Sequence, residues 1–219
     1  MIIGINGFAG SGKDTVGIIL QYLNSIDVGN LTIEDIIKNY SFHEWWLEEQ
    51  SGWEIKKWAG KLKQVAELLT GIPVEKFEDQ EFKKTNLGKQ WNDRINNPMS
   101  VRDFLQKLGT EGLRDGLHTN TWVNALMADY KCVPADRAPN GWDCPNWIIT
   151  DTRFPNEAQA IKDAGGIIIR VTRPGIGPIN DHPSETGLNQ WKFDYEIQND
   201  SSLNELINSV RIFKQKFGI

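Results

Sequence analysis

Short apolar runs alternate along the chain with stretches of helical periodicity. Ile2 to Asn6 is an apolar run that stops at a glycine, the pattern of a strand buried on both faces. Behind it, Val16, Ile19, Leu20 and Leu23 recur at the i, i+3, i+4, i+7 spacing of one helix face. Thr32 to Tyr40 predicts another short helix, and Trp53 to Trp58 a second strand. Lys61 to Leu69 predicts a helix that Gly71 and Pro73 close. The segment 41–52, rich in Trp and Glu, fits neither period and looks like an insertion, and 75–97 is polar enough to be surface helix and loop.

The second half is easier to divide. Ser100-Val101-Arg102-Asp103 has the form of a capping box opening a helix, with Val101, Phe104, Leu105 and Leu108 as its apolar face. A further helix is predicted from Thr121 to about Tyr130. Prolines and a glycine make 133–146 a loop. Trp147 to Thr150 predicts a buried strand ending at Asp151. Pro155 suits the first turn of the next helix, which Gly165-Gly166 terminates. Ile167 to Thr172 is the next strand, 173–188 a Gly/Pro-rich loop, and Tyr195 to Ile197 a short last strand. Ser202 and Glu205 form a second capping box before a closing helix marked by Leu203, Leu206, Ile207, Val210 and Phe217. Strands alternating with helices predict an α/β fold whose mainly parallel sheet is covered on both faces.

Composition narrows the classes. At 219 residues, 39% of them hydrophobic, the chain fits one domain with a lid or insertion and can build a core. A net charge of −5 argues against a partner that is a nucleic acid polymer, which would call for a basic face, but leaves nucleotides open. Cys132 and Cys144 show no metal-ligand spacing and are expected to be free thiols, which suits a reducing cytoplasm. No apolar run approaches the roughly 20 residues of a membrane span, and no cationic leader opens the chain. A soluble, cytoplasmic protein with no membrane partner is expected.

The strongest chemical signal is Gly7-Phe8-Ala9-Gly10-Ser11-Gly12-Lys13, a G-x-x-x-x-G-K match between a predicted strand and a predicted helix. Glycines let a backbone wrap a phosphate and aim N–H groups at it, and the helix start adds partial positive charge. Gly10, Ser11, Gly12, Lys13, Asp14 and Thr15 are therefore the expected nucleotide-binding residues. After Lys13, where a Ser or Thr for Mg²⁺ is usual, stands Asp14, followed by Thr15. Either could serve the magnesium, since a carboxylate is also a good hard ligand. A glycine-rich turn that binds no nucleotide is the competing explanation, which the strand–loop–helix context disfavours.

Asp151 closes an apolar strand, where a second acid would hold Mg²⁺ through water; the bland alternative is a turn or cap aspartate. Arg153 lies two residues on, at the sheet edge where ligands of open α/β folds bind. Arg102 and Gln106 share a helix face, Arg114 follows, and Arg170 and Arg173 end the next strand. Singly each is more often a solvated charge; together they could clamp an acceptor phosphate. Lys63 is another candidate cation. His182 and Glu185 follow in the loop. Trp122 is first a core residue, with the wall of a base pocket as the alternative. Lys13, Asp151, Arg153 and Arg173 are the catalytic candidates. A monophosphate acceptor is already anionic near neutral pH and needs no dedicated base, and the chain offers several arginines but no obvious base beyond Asp151. A sugar or other alcohol stays open on this argument.

Several segments resemble the phage-type deoxynucleoside monophosphate kinases: Gly10-Ser11-Gly12-Lys13-Asp14-Thr15, Leu62-Lys63, Val101 to Glu111, Asp151-Thr152-Arg153-Phe154-Pro155-Asn156-Glu157-Ala158, and His182-Pro183-Ser184-Glu185. The resemblance implies a three-layer P-loop NTPase fold of the nucleoside monophosphate kinase type, with a mainly parallel five-stranded sheet. It also implies Mg²⁺-ATP as donor, a deoxynucleoside monophosphate as acceptor, and the cytoplasm of a bacterial host if the chain is phage-encoded. By position, Lys13 would act on the transferring phosphoryl group, and Arg102, Gln106, Arg114 and Arg153 would face the acceptor. The chain departs from the family at Ala59-Gly60-Lys61, where Ala-Asp-Pro is usual. It is expected to be a single kinase domain with an acceptor-binding helical region at about 60–131 and a lid-like loop at about 173–190. A homodimer is admitted. The alternatives are a kinase for phosphomevalonate or dephospho-coenzyme A, and a nucleotide-gated regulatory module. The absence of an N-K-x-D motif counts against a GTPase switch.

Overall fold

The computed structural model describes the chain except residues 93–95, 137–140 and 179–182, and the side chains of Pro183 and Ser184. It divides into two compact units, Met1–Lys57 with Tyr130–Ile219, and Trp58–Asp129.

The first unit is a three-layer α/β fold. Its strands are β1 (Ile2–Asn6), β2 (Trp53–Lys56), β5 (Asn146–Ile149), β6 (Ile167–Thr172) and β7 (Tyr195–Gln198), ordered β2-β5-β1-β6-β7 in one sheet. Every pairing is parallel. The isoleucine runs explain the order: Ile2, Ile3 and Ile5 on β1, Ile148 and Ile149 on β5, and Ile168 and Ile169 on β6 are fully buried, so these three strands take the centre. Helix α1 (Lys13–Asn24) buries Val16, Ile19 and Leu20 against the sheet. Helix α9 (Leu203–Phe217), capped by Ser202, adds Leu206, Val210 and Phe213 to the same core. Helix α7 (Pro155–Asp163) covers the other face through Ala158 and Ile161.

Two segments differ from expectation. Of the aromatic stretch 41–52, all but Gly52, the C-cap, lies in helix α3 (Tyr40–Ser51), which follows the short α2 (Ile33–Lys38). Only Leu47 of α3 is buried, while Phe42 and Trp45 stay exposed, so the helix lacks the apolar stripe that periodicity detects. The expected loop 133–146 contains a small antiparallel hairpin of β3 (Val133–Pro134) and β4 (Trp142–Asp143). Its register sets Val133 opposite Asp143, which puts Cys132 opposite Cys144, and the two form a disulfide with 4.1 Å between their Cα atoms. The cysteines are therefore bridged, not free thiols: hairpin pairing supplies the closeness that a bridge requires.

The second unit packs α4 (Trp58–Thr70), α5 (Val101–Gln106) and α6 (Thr121–Met127) with short 3-10 turns. Its core is Ala66, Phe77, Leu87, Val101, Phe104 and Leu105. Ser100 caps α5 by accepting from the Asp103 N–H. The helix then widens into a π-helical stretch over Lys107–Asp115.

Among the described residues no helix is long and apolar enough to cross a membrane.

Candidate active site

The phosphate loop joins β1 to α1, as its sequence requires. Gly7 sits where a Cβ would approach Ser11 Oγ to 2.4 Å and the Val171 carbonyl oxygen to 2.8 Å, so the loop can fold tightly only with glycine there. Gly12 caps α1 in a left-handed conformation, φ 94°, and offers no side-chain cap. The first N–H groups of α1 thus keep no side-chain partner at their cap, the arrangement that receives an anion. The hydroxyl of Ser11 is buried within this cradle with no hydrogen-bond partner. A buried donor left unmade is costly unless a ligand completes it. The cradle therefore fits the phosphates of a nucleotide.

Asn199, the residue after β7, donates from its side chain to the Ser11 carbonyl at 2.9 Å, while its own N–H donates to the Thr172 carbonyl. The loop is thereby braced from the far edge of the sheet. Nothing in the local pattern around Asn199 signals this.

Beyond the loop, Lys13 donates to Asp14 Oδ2 at 3.0 Å, and Lys57, at the end of β2, lies 3.7 Å from Asp14 Oδ1. The hydroxyl of Thr150, at the end of β5, donates to the same Oδ1 at 2.8 Å. Partial burial works to raise the Asp14 carboxyl, but the charges of Lys13 and Lys57 and the hydrogen bonds from Lys13 and Thr150 outweigh it and hold the group below the usual carboxylate range. Asp14 is thus an anion at neutral pH, with its side chain about half exposed. Thr15 is half-buried in the first turn of α1.

Asp151 stands in the turn after β5, half-buried. The rest of that turn is pinned. Thr152 donates through its N–H to the Ile5 carbonyl and accepts on its own carbonyl from Asn6. Glu157, 3% exposed, accepts from the N–H groups of Arg153 and Phe154 at 2.7 and 3.0 Å. These contacts give the Asp-x-Arg-Phe-Pro-Asn-Glu run a physical meaning: its last carboxylate caps the turn that presents Arg153, and Pro155 opens α7. The Arg153 guanidinium donates to Glu185 Oε1 at 2.9 Å. The other oxygen of Glu185 is buried without a partner. Arg173 is exposed just past β6. Arg170 faces the rings of Phe8 and Phe193 and reaches Asn189, so aromatic contacts engage it. His182 lies outside the described residues.

The remaining candidates belong to the second unit. Lys63 is buried and ion-paired with Glu78. Arg102 and Gln106 are exposed on α5, and Arg102 donates to Gln80 at 3.4 Å. Arg114 is half-buried on the π-helical stretch. Trp122 is a core residue whose indole N–H donates to the Gly109 carbonyl at 2.8 Å.

Residues 55–210 match the model of the family described as deoxynucleotide monophosphate kinase. The chain belongs to this family. The matched span starts beyond the phosphate loop, so the cradle of the deoxynucleotide monophosphate kinase fold is a separate observation. Among relatives, the deoxynucleoside-5'-monophosphate kinase of Escherichia phage T5 is 26% identical over 91% of this chain and 89% of its own length. The deoxynucleotide monophosphate kinase of Enterobacteria phage T4 is 33% identical, over 54% of this chain and 47% of the phage protein. A protein of Acanthamoeba polyphaga mimivirus, given the same activity only provisionally, is 29% identical over 75% of this chain and 84% of its own.

Among the described residues no group of three or more His, Cys, Asp or Glu side chains could hold a metal on its own. Asp14, a half-exposed carboxylate beside the cradle, is the hard oxygen donor that magnesium takes together with substrate phosphates.

Proposed function

We propose that this chain transfers the γ-phosphoryl group of ATP to a deoxynucleoside monophosphate, giving the diphosphate. The observation that carries the proposal is a phosphate cradle with a buried, partnerless Ser11 hydroxyl, in a member of this kinase family.

Gly10, Ser11 and Gly12 bind the donor phosphates through backbone N–H groups and the Ser11 hydroxyl. Lys13 leaves Asp14 for the transferring phosphoryl group, where a mobile full charge matters most. Asp14, Thr15 and Asp151 are the residues that would hold magnesium, and the ion supplies charge neutralisation at the phosphates when bound. Arg153 and Arg173 add positive charge at the carboxyl edge of the sheet. Lys63, Arg102, Gln106, Arg114 and Trp122 of the second unit are the acceptor candidates; in the first unit, Glu185 and His182 are further substrate candidates within the 173–190 segment, the candidate lid. Because the acceptor is itself an anion, catalysis rests on positioning and neutralisation and not on a base. A lid that excludes water suppresses wasteful hydrolysis.

The test is ADP release from Mg²⁺-ATP across deoxy- and ribonucleoside monophosphates, phosphomevalonate and dephospho-coenzyme A. Strong stimulation by one or more deoxynucleotides is expected. Stimulation by phosphomevalonate or dephospho-coenzyme A alone would replace the acceptor. A flat panel over slow hydrolysis would replace the kinase with a nucleotide-gated module.

A further inference from the structure

In most phosphate loops of this kind the residue after the lysine is a Ser or Thr, and the second strand of the site supplies an Asp. Here the loop itself supplies a carboxylate, Asp14, and the neighbouring strand end supplies a hydroxyl, Thr150, beside the acid Asp151. Asp14 and Thr150 are joined at 2.8 Å, with Thr150 Oγ1 as donor. We propose that this hydroxyl–carboxylate pair makes Thr150 the positioning residue that aims Asp14 at the magnesium of the bound nucleotide. The inference rests on the kinase function proposed above.

Three observations support it. Thr150 is fully buried, yet its hydroxyl is spent on a side chain that is itself about half exposed. A buried hydroxyl aimed at an exposed carboxylate restricts the carboxylate more than it stabilises the core. Thr150 is also held rigidly: its N–H donates to the Lys56 carbonyl, and a Cβ on Gly17 would come within 2.8 Å of its methyl group. The hydroxyl therefore has a fixed origin. Finally, the bond occupies one face of Oδ1, and Lys57 lies near that same oxygen while Lys13 pairs with Oδ2. When Lys13 turns to a phosphate, Oδ2 is released and Thr150 still holds Oδ1. The carboxylate then faces the nucleotide without having to search rotamers.

Thr150→Val keeps the methyl group against Gly17 and removes only the donor. Thr150→Ser keeps the donor. The readout is ATP affinity by titration calorimetry with and without Mg²⁺, alongside the melting temperature. Wild type should bind ATP more tightly with Mg²⁺. Thr150→Val should bind metal-free ATP within about twofold of wild type but lose roughly tenfold of the magnesium-dependent tightening, the scale of one hydrogen bond to a charged group. Thr150→Ser should retain most of it. Thr150→Ala removes the same donor in a smaller side chain and stands in for Thr150→Val, with the same expected loss, should that variant fail to fold; Asp14→Asn probes the same pair from its exposed partner. It should lose the tightening as well, and adding Thr150→Val to it should cost nothing further. Unchanged magnesium dependence in Thr150→Val, or equal and additive losses in the double variant, overturns the inference. Wild-type ATP binding that ignores Mg²⁺ overturns this inference while leaving the kinase proposal standing; a flat ADP-release panel is what fails the kinase proposal, so the two failures are told apart.

Discussion

The side-chain amide of Asn199 lies 2.9 Å from the carbonyl oxygen of Ser11 and donates to it, tying the edge of the sheet to the middle of the phosphate loop. The same amide leaves no space at the next residue, because a Cβ on Gly12 would lie 2.4 Å from Asn199 Nδ2. Gly12→Ala therefore meets both a positive φ and a clash. It should lose about 1–3 kcal/mol of stability and most ATP binding. Asn199→Ala should lose about 1 kcal/mol and weaken ATP binding less. Combining Asn199→Ala with Gly12→Ala should cost less than the sum, because the clash is gone. Urea unfolding and nucleotide titration of the three variants check this.

Lys13→Ala should abolish transfer, with a fall of at least about a hundredfold, the scale of losing one charge-stabilising donor. Its stability should change by less than about 1 kcal/mol, since its partner among the described residues is a half-exposed carboxylate. Single-turnover transfer and circular dichroism give the two halves of the result. Normal turnover by a folded variant would sink the role of Lys13.

Trp122→Phe keeps the apolar ring but removes the indole donor from the Gly109 carbonyl. A cost of about 1–3 kcal/mol is expected, because a buried acceptor is left unmade. The acceptor KM separates the core role from a base-pocket role. An unchanged KM with reduced stability makes Trp122 purely structural.

Glu48 gives a pH dependence. Burial raises its carboxyl above the usual range; Lys56 opposes this, Glu44 and Glu54 add to it, and a hydrogen bond from Ile55 opposes it further. The folded state thus holds this proton more tightly than the unfolded chain does. Stability falls as pH rises through that window, and the ionised form remains a cost at neutral pH. Glu48→Gln should therefore be more stable than wild type at pH 7, by less than about 1 kcal/mol for a partly exposed side chain. The difference should vanish at about pH 3, below the ordinary glutamate value. Urea midpoints at both pH values measure it. A constant difference would show that packing, not ionisation, sets it.

Strands β1 and β6 were legible because they are nearly unbroken Ile and Val runs that stop where the apolar pattern stops. Caps at Ser100 and Ser202 were legible for the same local reason. What escaped has partners far along the chain. The bonds from Thr150 to Asp14 and from Asn199 to Ser11 join residues 136 and 188 positions apart. No spacing rule carries such pairs. The bridge between Cys132 and Cys144 escaped because it depends on hairpin register, and α3 because Leu47 alone among its residues is buried. The phosphate loop itself was plain, since its chemistry is written in contiguous residues.

The parallel order of the sheet also dictates a schedule. Strand β1 is made first, but its neighbours are Trp147–Ile149 and Ile167–Arg170, and β2 likewise waits for Asn146–Ile149. As the chain leaves the ribosome, this isoleucine-rich strand has no neighbour in the sheet until Trp147–Ile149 has been synthesised. The intervening Trp58–Asp129 unit, whose helices pack on one another, can form in that interval. A ribosome-stalled chain ending before Asn146 should therefore protect the amides of α4 and α6 while those of Ile2–Asn6 still exchange, and a growing polypeptide of this kind depends on keeping its bare first strand away from other chains.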